Sequence, residues 1–271
     1  MPDNPSLNKR VLIVGALGVV LGFFAGFFLA NSINRDEQEK LRAEMATART
    51  GAPAQAAQAE GSGKGQKGAP PGGDGSFPTL TEEQLANAVK QADADPSNAA
   101  LQHKVGQALY FYAWEKGNVQ ILPEVARILK RAHMLDPKNY RTTVIAGDAH
   151  FLIASQSGDT APLAEARKFY EAALASQPDD AQVRTNLGRT YFFDKPSNPQ
   201  RAISEYRRAL QSDPRQELSL QSLAAALIET GGLEEAARRL DELEKVNPSN
   251  TELSGLRAQL EQKRNAAKEK Q

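Results

Sequence analysis

Five prolines recur along the chain at a near-constant interval. Pro96, Pro137, Pro178, Pro214 and Pro248 follow one another after 41, 41, 36 and 34 residues. Four stand behind Asp95, Asp136, Asp213 or Asn247, and the other behind Gln177. Proline ends a helix because it has no N–H to donate and its ring clashes with the preceding turn. A period of this size marks stacked supersecondary units, none of which can bury its apolar face alone. The sequence between Thr81 and Lys268 is therefore expected to be an all-α array whose core lies between neighbouring units.

The residues between the prolines keep a common register. Ala166, Tyr170, Ala173 and Pro178 form an A-x3-F-x2-A-x4-P run, and Ala202, Tyr206, Ala209 and Pro214 repeat it. Ala236, Leu240, Leu243 and Pro248 keep the pattern with Leu at the second small position, and Val125, Leu129, Ala132 and Pro137 keep it more weakly. After each proline comes an L-G-x2-Y-like run: Leu187, Gly188 and Tyr191; Val105, Gly106 and Leu109; Ala146, Gly147 and His150; Leu223, Ala224 and Leu227. This resembles the tetratricopeptide repeat family from about Asn98 to Pro248. The small residue lets the two helices of a hairpin approach, and the larger one fills the space between hairpins.

The resemblance implies a helical-hairpin solenoid of four repeats, about 98–137, 138–178, 179–214 and 215–248, within a domain spanning 79–268. Thr81-Glu82-Glu83-Gln84 is a capping box that opens an N-terminal capping helix over 81–94, and 251–268 should be a C-terminal solvating helix. Pro123, Pro162 and Pro199 mark the first turns of second helices, and Gly231-Gly232 precede the last one. Asp179-Asp180 opens a turn before a helix, where acids suit the dipole. The two longer units carry seven extra residues, at 115–123 and 156–162, which either lengthen helices or project as loops.

Ahead of the repeats the composition changes. Residues 1–10 form a short tail, and 11–30 read VLIVGALGVVLGFFAGFFLA without a charge. Twenty such residues as a helix cross about 30 Å of hydrocarbon, so an uncleaved single-pass anchor is expected, with cleavage near Ala30-Asn31-Ser32 as the alternative. Lys9 and Arg10 favour a cytoplasmic N-terminus, while Arg35, Lys40, Arg42 and Arg49 count the other way. Gly18, Gly22 and Gly26 share one face of this helix as a doubled GxxxG, a surface for a homodimer. Residues 31–49 read as a charged helical stub, and 50–78 as a flexible Gly/Ala/Pro/Gln linker. Gly63, Gly65 and Gly68 match GxGxxG, but no strand precedes them, so no nucleotide site is expected.

Several function classes are disfavoured by composition. The 33 basic and 33 acidic residues cancel, which speaks against a nucleic-acid partner. With no Cys the chain cannot form disulfides, thiolate metal sites or a Cys nucleophile. His103, His133 and His150 are scattered and match no catalytic or metal motif, so neither an enzyme nor a bound cofactor is expected.

Tetratricopeptide proteins generally bind peptides or domains in the groove lined by first helices. Carried over unit by unit, the groove slots fall on His103, Gln107 and Tyr110; Arg141, Val144, Asp148 and Phe151; Gln182, Thr185, Arg189 and Phe192; and Leu218, Gln221 and Ala225. The Lys and Asn pattern that clamps acidic tails is missing. Tyr110, Phe151 and Phe192 instead form an aromatic line beside Arg141 and Arg189, suited to a segment with apolar anchors and some acid, unless the rings pack between repeats. The layout resembles bacterial inner-membrane tetratricopeptide proteins with a periplasmic domain, among them subunits of cytochrome c-type biogenesis. That resemblance implies a membrane-anchored interaction scaffold. A structural organiser dimerising through its anchor and a cytosol-facing adaptor are the alternatives.

Overall fold

The computed structural model of the chain describes residues 80–268. The apolar stretch 11–30, its glycines Gly18, Gly22 and Gly26, the stub and the linker all lie outside the described residues. Among the described residues no helix is long and apolar enough to cross a membrane. They form ten α-helices, one 3-10 turn and no strand. Helix α1 is Glu82–Ala94; α2 is Ala99–Lys116; α3 is Leu122–Leu135; α4 is Tyr140–Ser157; α5 is Pro162–Ser176. Then follow α6 (Ala181–Phe192), α7 (Pro199–Ser212), α8 (Glu217–Thr230), α9 (Leu233–Val246) and α10 (Leu253–Lys268).

The helix ends follow local chemistry. The Thr81 hydroxyl accepts from Gln84 N at 3.2 Å while Thr81 N donates to Gln84 Oε1 at 2.9 Å, closing the capping box of α1. Asn98, Asn139, Asp180 and Gln216 cap the four first helices through their side chains. Pro123, Pro162 and Pro199 occupy the first turns of α3, α5 and α7. Gly231 ends α8 at φ 84°, a left-handed backbone that residues with a Cβ adopt at a cost.

Four hairpins result: α2/α3, α4/α5, α6/α7 and α8/α9. Their closure depends on the small residue of each first helix. A Cβ at Gly147 would lie 2.7 Å from the Tyr170 ring, and one at Gly188 would lie 2.6 Å from the Tyr206 ring. Both tyrosines are fully buried, as are Leu129 and Leu240 at the equivalent places. Each buries enough apolar surface to contribute about 1.5–3 kcal/mol.

The extra residues of the first two units mainly lengthen their first helices: α2 and α4 run 18 residues, against 12 in α6 and 14 in α8. A short 3-10 turn at Val119–Ile121 adds to the first unit. Trp114, on the extension of α2, packs against the N-terminal core. That core joins Leu85 and Ala92 of α1 to the first two hairpins, and Leu253, Leu256 and Leu260 of α10 close the other end.

The stack has a narrow side. First helices α2 and α4, and again α6 and α8, touch directly, while no two second helices come comparably close. Short polar side chains join the first helices: His103 Nδ1 meets Thr142 Oγ1 at 2.5 Å, and Thr185 Oγ1 meets Ser219 Oγ at 2.5 Å. Long ionic side chains span the second helices: Lys130 to Glu165 at 3.0 Å between α3 and α5, and Arg207 to Glu235 at 2.5 Å between α7 and α9. The first helices therefore line the inner face.

Candidate functional site

The inner face is built from side chains at matching heights on α2, α4, α6 and α8. Towards the N-terminal halves of these helices it is a ladder of amides and hydroxyls. Gln216 Nε2 donates to Gln182 Oε1 at 2.6 Å, and Gln182 Nε2 donates to Asn186 Oδ1 at 3.2 Å. Asn250 Nδ2 donates to Gln221 Oε1 at 3.2 Å and to Glu217 at 2.6 Å. The Gln107 amide, oriented by its neighbour, turns its oxygen towards the Arg141 guanidinium.

Towards the C-terminal halves the face is aromatic. Tyr110 meets Phe111 edge-on at 5.4 Å between centroids, Phe151 meets Phe193 at 6.2 Å, and Phe192 meets Phe193 at 5.3 Å. Arg189 lies beneath this cover. Its guanidinium stands 4.8 Å from the Phe151 centroid and 5.7 Å from that of Phe193, and the residue is fully buried. Burial pulls its pKa down to about 10, against the favourable neighbourhood of Tyr206, Tyr170 and Asp148. It stays charged at neutral pH.

Asp148, 2% exposed, supplies the negative charge of this interior. The Tyr170 hydroxyl donates to Asp148 Oδ1 at 2.8 Å, and Asn186 Nδ2 donates to the same oxygen at 3.2 Å. Burial first, then the Asp148 carboxylate, raises the Tyr170 and Tyr110 hydroxyls well above the ordinary phenol value. One polar knot thus ties α4, α5 and α6 together.

The groove slots separate into two sets. Gln107, Tyr110, Asp148, Phe151, Thr185, Arg189, Leu218 and Gln221 are buried. His103, Arg141, Val144, Gln182, Phe192 and Ala225 are partly exposed. Tyr110, Phe151 and Phe192 therefore do not form one open aromatic line: the first two rings pack within the stack and only Phe192 keeps an accessible edge. Arg189 stands behind the face rather than on it, because the Phe193 ring folds back over it. Phe193, Asn186 and Tyr170 complete this arrangement although no groove slot falls on them. The Phe192-Phe193 doublet at the end of α6 was the one available signal. Asp180 caps α6 and accepts from Tyr140 Oη at 2.5 Å, a structural duty. Among the described residues no His, Cys, Asp and Glu cluster could hold a metal ion.

Comparison with known proteins agrees with this architecture. The family model for the tetratricopeptide repeat matches residues 196–260. No curated protein matches the chain. Among solved structures, the one described as "YrrB: a TPR protein with an unusual peptide-binding site" is similar at 15% identity. It covers 65% of this chain and 83% of its own, with a TM-score of 0.51. A crystal structure of MamA is similar at 20% identity, covering 62% and 90%, TM-score 0.50. The MamA RS-1 ArsTM double mutant is similar at 19% identity, covering 63% and 86%, TM-score 0.50. At such identities the likeness is one of fold: an all-helical tetratricopeptide-type solenoid.

Proposed function

We propose that this chain is a membrane-anchored interaction scaffold that holds a protein segment on the inner face of its repeats. The observation that carries the reading is the row of partly exposed side chains on successive first helices: His103, Arg141, Val144, Gln182, Phe192 and Ala225. The row offers apolar anchors at Val144 and Phe192 with amide, imidazole and guanidinium donors beside them. A segment with spaced apolar residues and some acid suits it. The buried set beneath, with Arg189 and Asp148, gives the row a rigid backing, which lowers the ordering cost of binding.

The membrane part of the proposal rests on the uncharged stretch 11–30, with the repeats on the outer side of a bacterial inner membrane. Haem-free apocytochrome segments are the first partners to try, on the resemblance in layout to cytochrome c-type biogenesis subunits. A second reading has Gly18, Gly22 and Gly26 pairing two copies, the repeats then acting as a structural spacer.

Photo-crosslinking residues at Val144, Gln182 and Ala225 should capture a partner segment in cells, whereas the same residue at the outward-facing Lys168 or Arg208 should not. Equal capture from both faces would sink the inner-face reading. Phe192→Ala should weaken the captured complex about tenfold, as for a central anchor. The chain has no Cys, so Ser62→Cys creates a unique thiol. Labelling of intact cells by an impermeant maleimide would support an outward domain, and labelling only after lysis would support a cytosol-facing adaptor. Gly22→Ile with loss of activity but intact groove capture would favour the spacer.

A further inference from the structure

All three histidines of the chain lie on helices of the first two hairpins, and two of them, His133 and His150, share one aromatic ring. His103 of α2 faces Thr142 of α4, Nδ1 to Oγ1 at 2.5 Å. His133 of α3 faces Thr143 of α4, Nδ1 to Oγ1 at 2.8 Å. The Thr143 hydroxyl donates to Asn139 O at 3.0 Å, so His133 Nδ1 must be the donor in its pair. His150 of α4 lies stacked on Phe169 of α5, centroids 5.5 Å apart, and His133 meets the same ring edge-on at 5.3 Å. Phe169 is thus clasped by two imidazoles from two helices. The buried Nε2 of His150 has no hydrogen-bond partner among the described residues.

We propose that the junction of these hairpins is a proton-sensitive seam: protonation in mild acid of His103 and His133, which cross from the first hairpin to the second, and of His150, which backs the Phe169 ring that His133 meets, loosens the first hairpin from the second. The groups around each ring set the sign. His103 faces Arg141 of α4 and Asp136 of the α3–α4 turn; burial and Arg141 lower its pKa and Asp136 opposes them. His133 is lowered by burial alone. His150 faces Glu165 of α5 and Lys130 of α3; burial lowers its pKa most, Glu165 opposes, and Lys130 adds to the lowering. Glu165 is already engaged by Lys130 at 3.0 Å and Lys168 at 2.5 Å. Stacking on Phe169 offers His150 a cation–π contact, which offsets part of the lost hydration but leaves its new N–H without an acceptor.

An imidazole whose folded pKa lies below its ordinary value of 6.5 binds protons less readily folded than unfolded. The seam is therefore most stable above that value and weakens as pH falls below it. Its opening takes apart the half of the inner face that carries His103, Arg141 and Val144, while α6–α10 hold no histidine and stay closed. A partner bound across the face would be released in acid.

The test is hydrogen exchange of the full chain at pH about 7.5 and about 5.5, either side of the ordinary imidazole value. Rates are corrected for the intrinsic pH dependence of exchange. The wild type should exchange faster at the lower pH in α1–α4 and equally at both in α6–α10. The combined variant His103→Gln, His133→Gln, His150→Phe should lose that difference. Fluorescence of Trp114, the single tryptophan, reports the same region independently. If the combined variant fails to fold at neutral pH, His133→Gln alone, at the ring that crosses from the first hairpin to Thr143 and Phe169 of the second, must shrink the difference. A wild type without an N-terminal difference, or a variant that keeps it undiminished, overturns the proposal. None of these readouts depends on the identity of a partner.

Discussion

Gly188→Ala isolates the contact that closes the third hairpin. A Cβ at this position lies 2.6 Å from Tyr206 Cε1, 2.8 Å from Cδ1 and 3.2 Å from the Glu205 Cβ. Carbon atoms in ordinary contact stand about 3.5–4.0 Å apart, so ring and helix must separate by about 1 Å. Tyr206 has little freedom to give way, because it is fully buried within the core shared by α7, α8 and α9. Overpacking of this kind costs about 1–3 kcal/mol, and the confined ring places the cost in the upper half. The same substitution recovers about 1 kcal/mol of helix propensity. The net loss is about 1–2 kcal/mol. Gly255→Ala in α10 is the control, because nothing lies within 4 Å of its new Cβ; it should gain about 0.5–1 kcal/mol. Urea unfolding of the full chain, followed by circular dichroism, should move the two midpoints in opposite directions. Hydrogen exchange in α6 and α7 then localises the change, since repeat arrays do not unfold as one unit. An upward shift for Gly188→Ala matching the control would refute the claim that the hairpin closes on the Tyr206 ring.

Further outcomes follow from named contacts. Thr81→Ala removes the hydroxyl arm of the capping box, leaving the backbone arm to Gln84 in place, and should cost α1 about 1 kcal/mol, read as faster exchange of its first-turn amides while α6–α10 stay unchanged. Asp148→Ala removes the acceptor of Tyr170 and Asn186 and leaves the Arg189 charge less compensated, so a loss of about 3 kcal/mol is expected. Combining it with Arg189→Met should cost less than the sum of the two single changes, measured as a double-mutant cycle. Arg127 and Arg131 hold the Asp93 carboxylate at about 2, below its ordinary 3.8. Its contribution is complete above that ordinary value and disappears as pH falls through about 2. Asp93→Asn should flatten this acid limb in a pH series of melting temperatures.

The repeat architecture was legible because it rests on short-range rules. Gly147 opposite Tyr170, Gly188 opposite Tyr206, and Pro123, Pro162 and Pro199 at helix starts are each readable from a fixed spacing. The fate of the seven extra residues was not: helix extension and loop projection have similar composition, and only packing of Tyr112, Ala113 and Trp114 against the first core decides it. The candidate face was half legible. Spacing along a helix gives the direction of Arg189 and Phe151, but not how near the next unit comes in that direction. Phe193 lies beyond the repeat pattern at the end of α6, and its return over Arg189 turns an expected contact residue into an interior one.

The two edges of the stack are joined by unlike materials. On the inner edge the fastenings are short, neutral and buried, such as Thr185 with Ser219. On the outer edge they are long ionic arms, such as Lys130 to Glu165 and Arg207 to Glu235, which dissolved salt weakens by screening. The array therefore behaves like a bimetallic strip, inextensible along one side and compliant along the other. Raising ionic strength should let the outer side lengthen more than the inner, so the solenoid is expected to curl more tightly, which small-angle scattering of the repeats across a salt series would read as a smaller radius of gyration.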